Sequence, residues 1–193
     1  MEKELHTLII IYPGCIAQEV MLAAELLEDR FPIIVATHDK RPLRLSNGLN
    51  ITPDYLYGSV PAESVGCVLI PGGDPASVAG NKSLDELLCK VHGQGAVLAS
   101  ICAGAFLLGK AGLLSDKKIA HGWTAENIQF LRENGYFENT EFTDESLICE
   151  GQLVTARPEA HIEFALEVAY QMKIVPTREE VKKYIQYYKG KRF

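Results

Sequence analysis

The segment that most constrains this chain runs from residue 96 to residue 108, AVLASICAGAFLL. Its first five residues are small or apolar and predict a short buried strand, and the residues after Cys102 predict a tightly packed helix. Between them stands Ser-x-Cys-x-Gly, the spacing of a nucleophile elbow, whose small residues let a strained turn, a strand and a helix approach closely. The segment therefore predicts an α/β sheet with Cys102 at its edge.

A cysteine in such a turn directs its sulfur out of the top of the sheet. The N–H groups and the positive dipole end of the following helix then favour the thiolate of Cys102 over the thiol. The alternative is an ordinary buried cysteine, since free cysteine is among the most buried residue types. The local pattern leaves both interpretations open.

Apolar strands alternate with helices along the whole chain, which predicts an open, mostly parallel α/β sheet. The predicted strands are residues 5–12, 31–37, 65–71, 96–100 and 117–120, followed by a hairpin of 147–149 and 153–156. The predicted helices are residues 17–30, 84–92, 103–111, 124–132, 158–172 and 176–188. Residues 41–61 are rich in Pro, Gly, Asn and Tyr and predict a short β excursion and loop outside the core.

Three features stand at the ends of predicted strands: the loop after Tyr12, the glycine turn at residues 71–73, and Cys102. Open α/β sheets bind ligands beyond the carboxyl ends of their strands. We therefore expect these features to converge on one rim and to form a site there.

Glu19 is the predicted partner of Cys102, because it lies just past the first strand, where the next helix begins. A carboxyl group beside a thiolate must hold the proton, since two negative charges would repel. Protonated, Glu19 can donate to sulfur and later act as a general acid or base. The alternative is a carboxylate that only favours the helix N-terminus.

The turn at residues 71–75, PGGDP, ends a buried strand with two glycines. Bare backbone there can offer the N–H of Gly73 to an oxyanion, alongside the N–H of Ala103. A simple glycine turn explains the same residues. Neither a Gly-x-Gly-x-x-Gly nor a Gly-Lys-Ser/Thr motif is present, so neither a dinucleotide-binding nor a phosphate-binding loop is predicted.

The composition excludes several classes of protein. A chain of 193 residues with 47% hydrophobic and 23% charged residues predicts one globular domain over residues 1–193. The net charge of −6 argues against nucleic acid and anionic membranes as partners, and no apolar run could span a bilayer. Five cysteines without Cys-x-x-Cys spacing and a charged start unlike a signal peptide predict a cytoplasmic protein with reduced thiols. The histidine spacing predicts no metal site, and the basic end at residues 189–192 predicts a solvated tail.

Taken together, these motifs resemble the ThiJ/PfpI superfamily, the Parkinsonism-associated deglycase family within the class I glutamine amidotransferase-like group. The similarity covers residues 8–170 and is most specific in LIPGG at 69–73, SICAG at 100–104 and LLGKAGLL at 107–114. The loop YPGCIAQEV resembles the acid-bearing loop of that family. The resemblance implies a flavodoxin-like three-layer sandwich, a homodimer and no cofactor, and the site residues that it implies are the nucleophile Cys102, the acid Glu19 and the N–H donors Gly73 and Ala103.

The chain departs from the family at a histidine that many members carry after the elbow helix. The matching run here is IAHGW at residues 119–123, and aligning Trp123 places Gly122 on the histidine position. His121 is then displaced by one residue, which on a strand turns its side chain to the opposite face. His121 is therefore a candidate third catalytic residue only if the chain has already left the strand.

Downstream, Arg157-Pro158-Glu159 is similar to the His-Pro-Glu of glutamine amidotransferases, with arginine in the place of histidine. No glutaminase activity is predicted from it. His161 lies early in the next helix and is interpreted as an ordinary helix residue.

Two functions follow from the resemblance and from the elbow. The first is a cofactor-independent cysteine enzyme that acts on a small electrophile through Cys102 and Glu19, with glyoxalase, deglycase or other hydrolase or lyase chemistry as the superfamily implies. The alternative is a redox-sensing or stress-response protein in which Cys102 oxidises and turns over little substrate. The enzyme is the preferred interpretation, and the displaced His121 slightly favours the alternative.

Overall fold

The structure is a computed structural model that describes residues 4–191. The expectations about the first three residues of the charged start and about Arg192 in the basic tail lie outside the described residues. No helix in residues 4–191 is long and apolar enough to cross a membrane.

Strands and helices alternate as the sequence predicts. The strands of the described part are β1 (His6–Ile10), β2 (Ile33–Thr37), β3 (Leu43–Arg44), β4 (Asn50–Ile51), β5 (Tyr55–Leu56), β6 (Val65–Ile70), β7 (Val97–Ile101), β8 (Lys118–Ala120), β9 (Glu141–Thr143), β10 (Leu147–Glu150) and β11 (Leu153–Ala156). The helices are α1 (Gln18–Leu27), α2 (Lys82–Gly93), α3 (Ala105–Lys110), α4 (Ala125–Glu133), α5 (His161–Gln171) and α6 (Arg178–Tyr188).

A seven-stranded sheet in the order β10-β11-β7-β6-β1-β2-β5 forms the centre of the molecule. Its strands run parallel except for β10, which is antiparallel to β11 as the predicted hairpin requires. Leu8 and Ile10 of β1 are fully buried, because a central parallel strand is covered by helices on both faces. Flanking helices complete the predicted flavodoxin-like α/β sandwich, and this prediction is confirmed.

The helix ends follow ordinary capping chemistry. The side chain of Asn81 accepts the N–H of Leu84 at the start of α2, and Thr124 and Asn127 form a capping box at the start of α4. The helix predicted over residues 124–132 therefore begins as expected, directly after the cap residue Thr124.

The expectation that residues 41–61 lie outside the core was wrong for their last part. Strand β5 adds to the edge of the main sheet beside β2, and Asp54 exchanges hydrogen bonds with the backbone of Val35. The following Tyr57 is 2% exposed, and its hydroxyl donates to the carbonyl oxygen of Ile11 at 2.6 Å. The sequence pattern did not reveal this edge strand, because it has only two residues and pairs with β2, which is distant in sequence.

Strand β8 does not join the main sheet. It pairs in parallel with β9, a short polar strand that the sequence did not predict. This small sheet carries residues 119–123, where the family histidine is expected.

Candidate active site

The turn after β7 has the geometry of a nucleophile elbow. Cys102 has φ 58°, in the left-handed region, and opens a 3-10 turn that leads into α3. This conformation costs a non-glycine residue about 1–2 kcal/mol, so the surrounding structure must hold it. A Cβ on Gly104 would lie 2.5 Å from the carbonyl oxygen of Ile70, which explains why the elbow needs glycine there.

The glycine turn after β6 lies directly against the elbow. A Cβ built on Gly72 would be 2.5 Å from the Cβ and 2.9 Å from the Sγ of Cys102. On its other side the turn contacts the β1–α1 loop, where Gly73 forms an isolated bridge with Cys15. Gly73 has φ 112°, and a Cβ there would lie 2.3 Å from the carbonyl oxygen of Gly14. The three rim features of the sequence thus meet at one place.

Glu19 lies in the first turn of α1, is 9% exposed and points at the elbow. Its Oε2 accepts the N–H of Gly72 at 2.7 Å, and its carboxyl group is hydrogen-bonded to the Cys102 side chain. Burial raises the pKa of Glu19, and these two hydrogen bonds and the charge of His161 oppose the rise. Glu19 therefore retains its proton to a higher pH than an ordinary carboxyl group.

Cys102 is half-buried, and burial is the largest cause of a raised thiol pKa, with the charge of Glu19 next. Hydrogen bonds from the N–H groups of Ala103 and Gly73 lower the pKa of Cys102. The helix N-terminus acts on sulfur in the expected direction, but burial outweighs it. The charge of Glu19 raises the pKa of Cys102, so ionisation of the carboxyl group disfavours ionisation of the thiol.

This arrangement has three chemical capabilities. The sulfur can act as a nucleophile, and the neighbouring carboxyl can accept and return its proton. Consecutive amides hold the pair, with Gly72 on the carboxyl and Gly73 on the sulfur. With Ala103, the Gly73 N–H can stabilise negative charge that develops on or beside the sulfur.

His121 lies just beyond β8 and is 4% exposed. Its ring stacks on Trp123 at 5.6 Å and meets the edge of Phe142 at 5.5 Å, and its Nδ1 accepts the N–H of Trp123 at 3.1 Å. Burial and the charge of Arg157 lower the pKa of His121. Within the described part of the chain, this ring makes no hydrogen bond to Cys102, and a catalytic role for His121 stays a prediction.

Gly122 is the residue of that segment that lies beside the sulfur. A Cβ at this position would be 3.0 Å from Sγ of Cys102 and 3.3 Å from Cδ of Pro158. The backbone of Gly122 thus packs directly against the nucleophile, and a side chain at this position would need Cys102 to shift.

Two residues at the site were not predicted from the sequence. His161, exposed at the start of α5, acts electrostatically on Glu19 because α5 packs against α1. Tyr12, fully buried, donates its hydroxyl proton to the carbonyl oxygens of Pro71 and Gly72. A tyrosine that ends an aliphatic strand was the available signal for Tyr12, whereas His161 had no local signal.

The chain is similar in sequence and in fold to several known proteins. The chain is 29% identical over 181 residues to Protein dj-1beta of Drosophila melanogaster, covering 91% of this chain and 94% of that protein. It is 25% identical over 153 residues to the glutathione-independent glyoxalase DJR-1.2 of Caenorhabditis elegans, covering 78% of each. A thiJ/pfpI family protein from Bacillus anthracis shares the fold with a TM-score of 0.82 and 23% identity, over 98% of this chain and 92% of that one. A model of the DJ-1/PfpI family matches residues 6–171, and with these likenesses it shows that the chain belongs to the DJ-1/PfpI family.

Proposed function

We propose that the protein is a cofactor-independent cysteine enzyme that converts small 2-oxoaldehydes such as methylglyoxal into 2-hydroxy acids. One observation carries the proposal: Oε2 of Glu19 and Sγ of Cys102 lie together at Gly72, 2.7 and 2.9 Å from its Cβ position, and the N–H groups of Gly73 and Ala103 lower the pKa of that sulfur. This set supplies a nucleophile, a proton carrier and two N–H donors for an oxyanion. The glyoxalase named among the relatives supports the same chemistry.

In the first step, the sulfur of Cys102 bonds to the aldehyde carbon while its proton moves to Glu19. The carbonyl π bond breaks, and the electron pair on oxygen is stabilised by the N–H groups of Gly73 and Ala103. Glu19 then returns the proton to that oxygen, and a hemithioacetal is formed.

In the second step, Glu19 removes the proton from the carbon that carries sulfur and delivers it to the neighbouring ketone carbon through an enediol. The hydroxyl proton of the hemithioacetal moves to the ketone oxygen, which leaves a thioester carbonyl beside the new hydroxyl group. The aldehyde carbon is oxidised and the ketone carbon is reduced, so no external oxidant is needed. Water then hydrolyses the resulting thioester, which releases lactate and restores the thiol of Cys102.

The raised pKa of Glu19 suits these proton transfers. A general acid or base works best when its pKa lies near the working pH. Burial raises the pKa of Glu19 above the range of an ordinary carboxyl group and so brings it closer to neutral pH.

The test is lactate formation from methylglyoxal without added thiol, measured for the wild type and for variants. We expect Cys102→Ser and Glu19→Gln each to lower kcat/KM by about 100-fold or more. Cys89→Ser is the matched control, because Cys89 is exposed and its sulfur donates to the carbonyl oxygen of Ala111 instead. Full activity in Cys102→Ser would rule the mechanism out.

A redox-sensing role is the second candidate, and the surroundings of the sulfur favour it. Cys102 is half-buried beside Glu19, whereas Cys15 and Cys67 are fully buried and the exposed Cys89 donates to the carbonyl oxygen of Ala111 instead. The same N–H groups and a protonated Glu19 could hold the oxygens of a sulfinate. Peroxide followed by mass spectrometry should add oxygen stepwise at Cys102, and equal oxidation of all the cysteines would refute this role.

A cytoplasmic location and a homodimer are part of the proposal. The five cysteines are free in the structure, which supports a reducing compartment. Sedimentation of the purified protein tests the dimer.

A further inference from the structure

The hydroxyl of Tyr12 is directed at the backbone of the glycine turn. Its one proton is shared between the carbonyl oxygen of Pro71 at 2.7 Å and that of Gly72 at 2.9 Å. Tyr12 is fully buried just beyond β1, 59 and 60 residues away in sequence from its two acceptors. A fully buried hydroxyl must bond to the protein in place of water, so this contact is part of the fold.

The peptide between Gly72 and Gly73 connects this hydroxyl to the nucleophile. Its carbonyl oxygen accepts from Tyr12 and also from the N–H of Ile16 at 2.9 Å. The peptide is trans, because no cis bond occurs in residues 4–191, and in a trans peptide the C=O and the N–H point in opposite directions. Two donors thus hold its oxygen on one side. Its N–H lies on the other side and lowers the pKa of Cys102, whose Sγ is 2.9 Å from the Cβ position of Gly72.

We propose that Tyr12 is a positioning residue of the active site, whose hydroxyl orients and polarises the Gly72–Gly73 peptide so that the Gly73 N–H is directed at the Cys102 sulfur. A donor on a carbonyl oxygen strengthens the N–H of the same amide as a donor, since hydrogen bonds in series polarise one another. It also prevents the peptide from rotating, which matters because Gly73 has φ 112° and glycine restricts its backbone little. The effect on turnover rests on the proposed function, whereas the effect on the thiol does not.

Tyr12 can act only as a donor here. Burial, together with the charges of Cys15, Glu19 and Cys102, raises its pKa well above the usual value for tyrosine. It therefore keeps its proton throughout the working range and takes no part in proton transfer. Of these groups, Glu19 from α1 is the carboxyl that acts directly on Cys102.

Tyr57 provides a matched control. It is 2% exposed, and its hydroxyl also donates to a backbone carbonyl, that of Ile11, at 2.6 Å. This bond lies outside the glycine turn. Tyr57→Phe removes the same atom from the same kind of buried site, so it reproduces any general loss of stability in Tyr12→Phe.

The experiment measures the alkylation rate of Cys102 by iodoacetamide against pH, read at that residue by mass spectrometry, together with kcat and KM for methylglyoxal. We expect Tyr12→Phe to lower the alkylation rate at neutral pH by about threefold, within the range of one net hydrogen bond. We expect kcat to fall by about three- to tenfold with little change in KM, because the oxyanion forms after substrate binds. Tyr57→Phe should leave both readouts at the wild-type level.

A second variant keeps the test decisive if Tyr12→Phe does not fold. Incorporation of 3-fluorotyrosine at position 12 retains the hydroxyl and makes it a stronger donor, so alkylation should become faster at neutral pH. An alkylation profile that stays at the wild-type level with this residue, or that is the same in Tyr12→Phe and Tyr57→Phe, would overturn the inference. A shifted profile in a protein that forms no lactate would refute the proposed function and leave the role of Tyr12 standing.

Discussion

Gly72→Ala places one methyl group between the side chains of Cys102 and Glu19. The added Cβ would lie 2.5 Å from the Cβ of Cys102, 2.7 Å from Oε2 of Glu19 and 2.9 Å from Sγ. Gly72 also donates its N–H to Glu19 and packs against the strained elbow. The methyl group therefore meets both reacting side chains at once, on the backbone that holds them.

The size of the effect follows from these distances. Ordinary carbon–carbon contacts lie at about 3.5–4.0 Å, so the turn and the elbow must separate by about 1 Å. A displacement of about 1 Å at a reacting centre costs on the order of 100-fold in rate. Forcing a methyl group into a close-packed region costs about 1–3 kcal/mol of unfolding free energy. We therefore expect a folded protein with a large loss of activity.

The assay compares kcat/KM for methylglyoxal, the alkylation rate of Cys102 and the urea midpoint of Gly72→Ala with those of Gly93→Ala. Gly93 ends α2 with open space around its Cβ position, so the same substitution there should leave activity and alkylation nearly unchanged and should not lower the urea midpoint. The reasoning is refuted if Gly72→Ala matches Gly93→Ala in activity and alkylation.

Three further predictions concern charge and packing. Folded Glu19 binds its proton more tightly than unfolded Glu19, so wild-type stability falls as pH rises from about 4.3 through its raised pKa. Glu19→Gln should therefore gain stability over wild type between pH 5 and pH 8 in urea titrations, and an equal difference at both pH values would contradict this. His161→Ala removes a side chain that lowers the pKa of Glu19, so the rising limb of kcat/KM against pH should shift to higher pH. An unshifted limb would exclude an effect of His161 on Glu19. Gly109→Ala should destabilise by about 1–3 kcal/mol instead of stabilising its helix, because the Cβ would lie 1.7 Å from the ring of Phe137; a urea midpoint at or above that of Gly93→Ala would be the contrary result.

Periodicity predicted the elements with strong local patterns. Strands β1, β6 and β7 and helices α1, α2 and α5 lie within a few residues of their predicted bounds, because their apolar spacing reflects burial on the sheet. The failures were β5 and β9. Both have only two or three residues, and each forms by pairing with a strand that the local pattern does not reveal.

The sequence by itself determined the α/β class, the elbow and the choice of Cys102, since a run of small residues between a strand and a helix permits few other structures. It also named Glu19, Gly73 and Ala103, and the structure places these beside the sulfur. Their catalytic roles stay predictions.

Tertiary structure alone decided what surrounds Cys102 and Glu19. It places Gly122 beside the sulfur and the His121 ring in an aromatic cluster. It also brings Tyr12, from just beyond β1, and His161, from α5, to the site. The physical reason is that a one-residue difference in where a strand ends turns a side chain to the other face, and that contacts between distant segments depend on how helices pack on the sheet. Neither the exact end of a strand nor a contact between distant segments leaves a local pattern in the chain.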